Sequence, residues 1–300
     1  MPQKINSCSL RGGNIRKRWY FIILFALTLV SVSYATKTKK IEEWAKKYEN
    51  GVYLKYKPIE GSELWYKTTL SINSTVDMKG MGQSSITSMG IRIKKGVERI
   101  AGDTLVLKIT YDKAEGTIKT GAQLMAIPKL DKLKGQEISL TIVHGKVVNK
   151  KIIANIDDEM KQYVEGIVQE VEQELKIFSG EKMLKIGDKW DVEYEEIEGK
   201  KVKTQYRLED FREKEGFECA KIMYDSQIEL NENQTQQGMQ VKFIGKGKEK
   251  GEIYFAINEG YKIYEKSTAS VEGKSEVVTI GSVDVYTDVN SETKLVTKEK

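Results

Sequence analysis

Few residues in this sequence have the types and spacing that catalysis requires. His144 is the only histidine among the 300 residues, so a zinc site with two histidine ligands cannot form within the chain. A serine nucleophile would need the same histidine as its base, and the G-x-S-x-G motif is absent. We therefore predict no catalytic residue, no metal site and no cofactor, and we expect that the protein is not an enzyme.

Two motifs invite a chemical interpretation, and each has a simpler one. Glu193 and Glu195 alternate onto one face of a predicted strand, where two carboxylates could serve glycoside hydrolysis or bind calcium. Because 31% of the residues are charged, a solvated strand face explains this pair more simply. The run GKGKEKG at 245–251 lacks the glycine spacing of a nucleotide-binding loop, so we interpret it as a lysine-rich connection.

Aromatic residues on predicted strands are the best candidates for a binding site. Trp65, Trp190 and Tyr254 lie in segments where polar and apolar residues alternate. A curved sheet covered by a helix can enclose an apolar cavity that suits a lipid or another hydrophobic small molecule. We predict these three residues as ligand-binding residues, and an ordinary packed core is the alternative interpretation.

The elements that must position these residues are mostly strands. Alternating runs rich in Tyr, Ile, Val and Thr predict strands at 63–76, 104–112, 138–143, 201–211 and 218–230, and a hairpin over 251–268. His144-Gly145 predicts a two-residue turn, and Asn258 to Gly260 predicts a three-residue loop. One long amphipathic helix is predicted at about 157–178, because apolar residues recur there at helical spacing.

These elements predict a mainly β (α+β) fold of curved antiparallel sheets with one long helix. Trp65 and Trp190 each follow a glycine and a polar residue at the head of a strand, which indicates two β-rich halves or half-barrels. The predicted organisation is a leader at 1–35, a charged lead-in at 36–50, a first half at 51–156, the helix at 157–180 and a second half at 181–296.

Residues 1–35 have the features of a secretory signal peptide. Five basic residues precede an apolar run at 19–32, and the small residues Ser33 and Ala35 follow it. The alternative is an uncleaved membrane anchor, in which case residues 19–35 would be the only part that contacts a membrane. We expect an exported protein that is periplasmic, at the cell surface or extracellular. Cleavage would leave Cys219 as the only cysteine, so no intrachain disulfide is predicted.

The net charge of +5 comes entirely from this leader. The chain has 49 Lys and Arg and 44 Asp and Glu, and the leader holds five basic residues and no acidic one. The remaining 265 residues therefore carry 44 positive and 44 negative side chains. Binding to nucleic acid normally requires a surplus of Lys and Arg that displaces phosphate counterions, so we predict no nucleic-acid partner.

Three segments carry a resemblance to a known group of proteins. They are LKYKPIEGSELWYKTTLSINSTVDM, KIGDKWDVEY and GKGKEKGEIYFAINEGYKIYEKST, which together resemble an uncharacterised family of exported bacterial β-rich proteins. More distantly, the arrangement is similar to the lipoprotein-carrier fold, a half-barrel sheet over helices that shields acyl chains. We expect a non-enzymatic module that binds a lipid or another hydrophobic molecule. The alternative is a structural envelope module that docks a protein partner.

Overall fold

The computed structural model describes residues 43–44, 46–78, 81–152, 158–197, 199–236, 239–277 and 281–297. The predicted leader at 1–35 lies outside the described residues. The chain divides into two compact units, Met1–Glu49 and Asn50–Lys300. In the first, the described residues form a helical turn in which the Tyr48 backbone N–H donates to the Trp44 carbonyl at 3.0 Å. No helix among the described residues has both the length and the apolar character needed to span a membrane.

The second unit consists almost entirely of strands. The elements, in chain order, are β1 (Val52–Lys55), β2 (Glu63–Met78), β3 (Met81–Ala101), β4 (Thr104–Thr120), β5 (Gln123–Ala126), a 3-10 turn (Leu130–Leu133), β6 (Glu137–Val143), β7 (Lys146–Ile152), α1 (Asp158–Ile177), β8 (Ser179–Leu184), β9 (Lys189–Ile197), β10 (Lys200–Lys214), β11 (Phe217–Gln236), β12 (Met239–Ala256), β13 (Tyr261–Val277) and β14 (Gly281–Val296). The mainly β fold with one long helix is thus confirmed, and the predicted helix at 157–178 is correct to within one residue at each end.

Twelve of the strands form one antiparallel sheet. Its order is β7-β6-β4-β3-β2-β14-β13-β12-β11-β10-β9, and β5 pairs with β4 outside this path. The strands that precede α1 in the sequence form one side of this order, and the strands that follow α1 form the other side. The two sides meet where β2 pairs with β14, with Leu295 opposite Tyr66 and Val289 opposite Ile72. The two predicted halves are therefore joined in one continuous sheet. The remaining strands, β1 and β8, pair with each other in a separate two-stranded sheet.

Two hairpin turns place successive residues at positive φ. His144 and Gly145 have φ of 49° and 72° and make the predicted two-residue turn, and Glu215 and Gly216 make a second such turn with φ of 52° and 83°. The turn between β12 and β13 spans four residues, 257–260, one more than the predicted loop. Gly260 closes it with φ of 75°, in the left-handed region where glycine is favoured.

Helix α1 buries its apolar stripe against the first half of the sheet. Val164, Val168 and Val171 are buried in one cluster with side chains of β2, β3, β4 and β6, such as Tyr66 and Leu140. This spacing of three and four residues places all three valines on one side of the helix. Directly after the helix, the Phe178 ring stacks on Phe255 of β12, with ring centroids 4.1 Å apart. One helix therefore packs against strands from both halves of the sequence.

Two sequence interpretations concern single segments of the second half. Cys219 is fully buried, and burial raises the pKa of its thiol to about 12, as fits a small buried apolar residue without nucleophilic character. The run at 245–251 is not a connection, so that prediction was wrong. It lies inside β12 and pairs along its whole length with β11 and β13. Its glycines have a packing role that the sequence pattern does not reveal.

Candidate functional site

A cavity of about 270 Å3 lies between the second half of α1 and the sheet, and we call it the helix–sheet cavity. The strands that contribute to it are β2 and β10 to β14. Apolar and aromatic side chains form part of its wall: Ile177, Phe178, Tyr206, Tyr224, Ile253 and Val289. Hydroxyl groups form another part: Thr68, Ser226, Ser267, Ser291 and Thr293. The wall therefore offers both ring faces and hydrogen-bonding groups.

The sizes of the side chains along one row of the sheet explain why a cavity exists here. Register partners on successive strands from β9 to β14 are Trp190, Tyr206, Tyr224, Gly251, Ser267 and Ser291. Residues in one such row project from the same side of an antiparallel sheet. The row changes from three aromatic side chains to three small residues. Side chains as small as those of Ser267 and Ser291 do not reach as far from the sheet toward α1 as the rings do. The unfilled space is the helix–sheet cavity.

The glycine in this row seats an aromatic ring. A Cβ atom added at Gly251 would lie 2.5 Å from Cζ of Tyr224, closer than any side chain can approach. The Tyr224 ring thus covers the glycine of the neighbouring strand, an arrangement that stabilises glycine within sheets. Its hydroxyl donates to Glu265 Oε1 at 3.0 Å, and Glu249 Oε1 lies at 3.3 Å. Burial and the charge of Glu265 raise the pKa of this phenol, so it stays protonated as a donor.

One end of the cavity is charged. A group of five residues, Lys95, Lys262, Glu170, Glu174 and Glu265, forms what we call the buried ion cluster. Lys262 is 5% exposed. Its ammonium lies 3.2 Å from Glu170 Oε1, 2.8 Å from Glu174 Oε1 and 2.7 Å from Glu265 Oε2. Lys95 Nζ lies 3.4 Å from Glu170 Oε1 and 3.1 Å from Glu174 Oε2. Helix α1 supplies two carboxylates, and the sheet supplies both ammonium groups.

Two members of the cluster, Glu170 and Lys262, are held in their charged forms by their neighbours. Burial alone would raise the pKa of Glu170, but the ammonium groups of Lys95 and Lys262 lower that pKa to about 2. Burial alone would lower the pKa of Lys262, but Glu174, Glu265 and Glu170 hold it well above its usual value. The Tyr66 hydroxyl donates to the Lys262 carbonyl at 3.0 Å, and burial raises the pKa of this phenol. The charged end of the cavity is therefore fixed by both side-chain and backbone contacts.

Sequence reasoning did not single out this cluster. Lys262 lies in an alternating strand and Glu170 and Glu174 lie on a helix rich in acidic residues, so each is typical of a solvated surface. The single available signal was the i, i+4 spacing of the two glutamates on α1. Their partners on β3 and β13 are 75 or more residues away in sequence. Only the three-dimensional fold brings these charges together.

Of the three predicted ligand-binding residues, Trp190 is on the helix-facing side of the sheet. Its ring stacks on Tyr206 with centroids 5.6 Å apart, and Tyr206 in turn lies 5.6 Å from Tyr224. Tyr206 and Tyr224 line the cavity, so Trp190 lies one ring behind the lining. Its indole nitrogen is buried and has no hydrogen-bond partner among the described residues.

The other two predicted residues, Trp65 and Tyr254, project from the opposite side of the sheet. Their neighbours Tyr66 and Ile253 are on the helix-facing side, and successive residues of a strand alternate between faces. Trp65 is half-buried, with Lys94 Nζ 5.9 Å from its ring centroid. Tyr254 packs with buried Cys219 and edge-to-face against Tyr264. The structure therefore does not bring the three predicted residues together.

The chemical motifs lie apart from this cavity. Glu193 is exposed on β9, and the side chain of Glu195 is outside what the structure describes. His144 occupies an exposed hairpin tip, where its Nδ1 lies 3.4 Å from Asp103 Oδ2. Among the described residues, no group of three or more His, Cys, Asp or Glu side chains is placed to hold a metal ion.

No protein-family model and no curated protein matches this sequence. Among solved structures, lipovitellin, studied for its lipid–protein interactions, is similar with a TM-score of 0.48 and 12% identity. The match covers 80% of this chain and 25% of the lipovitellin chain, so this chain spans about a quarter of that protein's length.

Two further structures show weaker likeness. OccK5 from Pseudomonas aeruginosa is similar with a TM-score of 0.27 and 7% identity, over 79% of this chain and 99% of that one. A DUF1329 family protein from Desulfovibrio piger is similar with a TM-score of 0.12 and 9% identity, over 80% of this chain and 88% of that one. The resemblance to exported β-rich proteins and to the lipoprotein-carrier fold stays a prediction from the sequence.

Proposed function

We propose that this protein is an exported, non-enzymatic binding module whose ligand occupies the helix–sheet cavity. The observation that carries the proposal is the row in which three rings give way to small residues, two of which, Ser267 and Ser291, line the cavity beneath α1. A protein interior normally fills such space with side chains. Here the chain places small residues under the helix and leaves a volume of about 270 Å3.

The mixed wall indicates the character of the ligand. A purely apolar ligand would leave the Ser291 hydroxyl without water, and burial of a polar group without a hydrogen bond is costly. The rings of Phe178 and Tyr206, which also line the cavity, favour a ligand that has an apolar portion as well. We therefore narrow the predicted hydrophobic ligand to a small amphiphile. The cavity volume is just below the usual range of about 300–1,000 Å3 for ligand pockets, which suits a short chain.

The experiment that tests this proposal is titration of the purified protein with 1-octanol, a short uncharged amphiphile, monitored by ligand-observed NMR. We expect saturable binding to the wild type. Ser291→Phe should abolish it, because the new ring would project from β14 into the cavity. Asn290→Phe is the matched control, since the adjacent exposed residue projects from the other side of the same strand. Absence of binding to the wild type, or equal binding to both variants, would refute the proposal.

The alternative function, a structural envelope module that docks a protein partner, stays a prediction from the sequence. A solid core would favour that alternative, whereas the space under α1 favours a small-molecule ligand. Titration with 1-octanol separates the two, because a docking module has no reason to take up a short amphiphile at this place.

A further inference from the structure

The charges around the helix–sheet cavity are unequal. Among the described residues four carboxylates line it, those of Glu170, Glu174, Glu249 and Glu265, and Lys262 is the lining residue with a positive charge. Lys95 adds a second ammonium behind the wall, within 3.4 Å of Glu170 and Glu174. Counting both lysines, the formal charge of the wall is still negative. In a partly buried site such a field acts more strongly than it would in bulk water.

The chain itself shows that this wall accommodates an organic cation. The Lys262 ammonium is surrounded by three carboxylates at 2.7 to 3.2 Å. Glu265, besides contacting Lys262, accepts a hydrogen bond from Tyr224, and Glu249 lies on the far side of that phenol. The carboxylates therefore extend from the buried ion cluster along the cavity wall to β12, beyond the reach of the lysine.

Aromatic faces line the same space. Tyr206 and Tyr224 contribute rings to the wall from β10 and β11, and Phe178 contributes one from the end of α1. A cation held over such a ring is attracted by its negative face, and the attraction increases when water is excluded. Carboxylates and aromatic rings together are the groups that proteins use to bind amines and quaternary ammonium ions.

We infer that the ligand of the helix–sheet cavity is a cationic amphiphile, an amine or quaternary ammonium attached to a short apolar chain. This inference rests on the proposed function and adds the class of head group. The apolar chain lies against Phe178, Ile253 and Val289. The cationic group lies toward Glu249 and Glu265, whereas an anionic head group would meet the negative end of the wall.

Three probes with the same chain test the inference on the wild-type protein: octylammonium, 1-octanol and octanoate, each titrated at neutral pH and low salt. We expect octylammonium to bind about tenfold more tightly than 1-octanol, and octanoate to bind more weakly than both. The preference should shrink as salt is added. Equal affinities, or a preference for octanoate, would overturn the head-group assignment and leave the proposed function intact. Absence of binding by all three would overturn both.

A charge-neutralising variant localises the effect. Glu249→Gln removes one negative charge from the wall without removing a partner of Lys262, so the preference for octylammonium over 1-octanol should fall several-fold. Glu272→Gln is the control, because Glu272 is an exposed carboxylate on β13 that pairs with Lys246 away from the cavity. If both variants keep the full preference, the cation does not bind at this wall.

Discussion

The most unusual residues in this protein are charged side chains that a sheet and a helix bury between them. Lys262 and Lys95 are each 5% exposed or less, yet both keep carboxylate partners within 3.4 Å. Removal of one member from such a group is strongly destabilising, because the other charges stay buried without compensation. The sequence could not predict this, because a lysine in an alternating strand looks the same whether or not a helix covers it. Burial here depends on α1, whose Glu170 lies 92 residues before Lys262 in the chain.

The pKa of Glu170 gives the ion cluster a definite pH dependence. Because its folded-state pKa is about 2, below the usual 4.5, its ionised form contributes stability that is fully present above pH 4.5. That contribution is lost as the pH falls from about 4.5 toward 2. The pH dependence that comes from Lys262 runs in the opposite direction. Its pKa is raised, so its contribution to stability is lost only as the pH rises through that raised value, above 10.5.

We expect the free energy of unfolding of the wild type to fall more steeply below pH 4.5 than that of Glu170→Gln. The two curves should converge as the pH approaches about 2, because the protonated carboxyl of the wild type and the amide of the variant are then both neutral. Urea unfolding at a series of pH values measures this. Glu172→Gln, on the same helix but outside the ion cluster, should follow the wild-type curve. A constant offset between the wild type and Glu170→Gln across this window would contradict the low pKa.

At the scale of elements, strands and the helix were predicted in the right places, but several strands are longer than the sequence indicated. β4 was predicted at 104–112 and extends from Thr104 to Thr120. Alternation of polar and apolar residues marks a strand only where one face is buried. A register shift leaves Asp112 as an extra residue between Tyr111 and Lys113, so the alternation that buries Tyr111 continues out of phase at Ala114 although the hydrogen-bonded ladder continues.

The same limit explains the predicted binding residues. Adjacent aromatic pairs such as Trp65 and Tyr66 must project from opposite sides of a strand, and the sequence does not say which side the helix covers. The small residues at the cavity are instead Ser267 and Ser291, whose role appears only when the strands are in register. Composition cannot reveal a cavity, because a cavity is formed by the absence of large side chains.

The pairing of β11 with β12 provides a prediction at this scale. Gly251→Ala should lower the free energy of unfolding by about 1–3 kcal/mol, because the new methyl group overlaps the Tyr224 ring. In a Tyr224→Ala background the same substitution should cost much less, as a double-mutant cycle would measure. Gly82→Ala on β3 is the control, since nothing lies within 4 Å of a Cβ there. Equal costs of Gly251→Ala in the two backgrounds would show that Tyr224 does not use this space.

For the whole molecule, the proposal of export depends on residues 1–35, which carry all five surplus positive charges. If a signal peptidase removes them, the exported protein should begin at Thr36 and have balanced charge. Amino-terminal sequencing of protein recovered from the exported fraction measures this directly. Retention of residues 19–35 would instead indicate a domain tethered to the membrane. Recovery of the full-length chain from the cytoplasm alone would contradict export.

The central position of the β2–β14 pair has a consequence for how the protein is made. Trp65 and Val296 are register partners, although 231 positions separate them in the chain. A contact across so long a loop forms slowly, because the entropy of closing the loop must be overcome first. A ribosome or a translocation channel releases β14 only after every other strand of the sheet has emerged. The middle of the sheet is therefore its last part to assemble, and until then β2 and β13 each present an unpaired edge that chaperones or aggregation can capture.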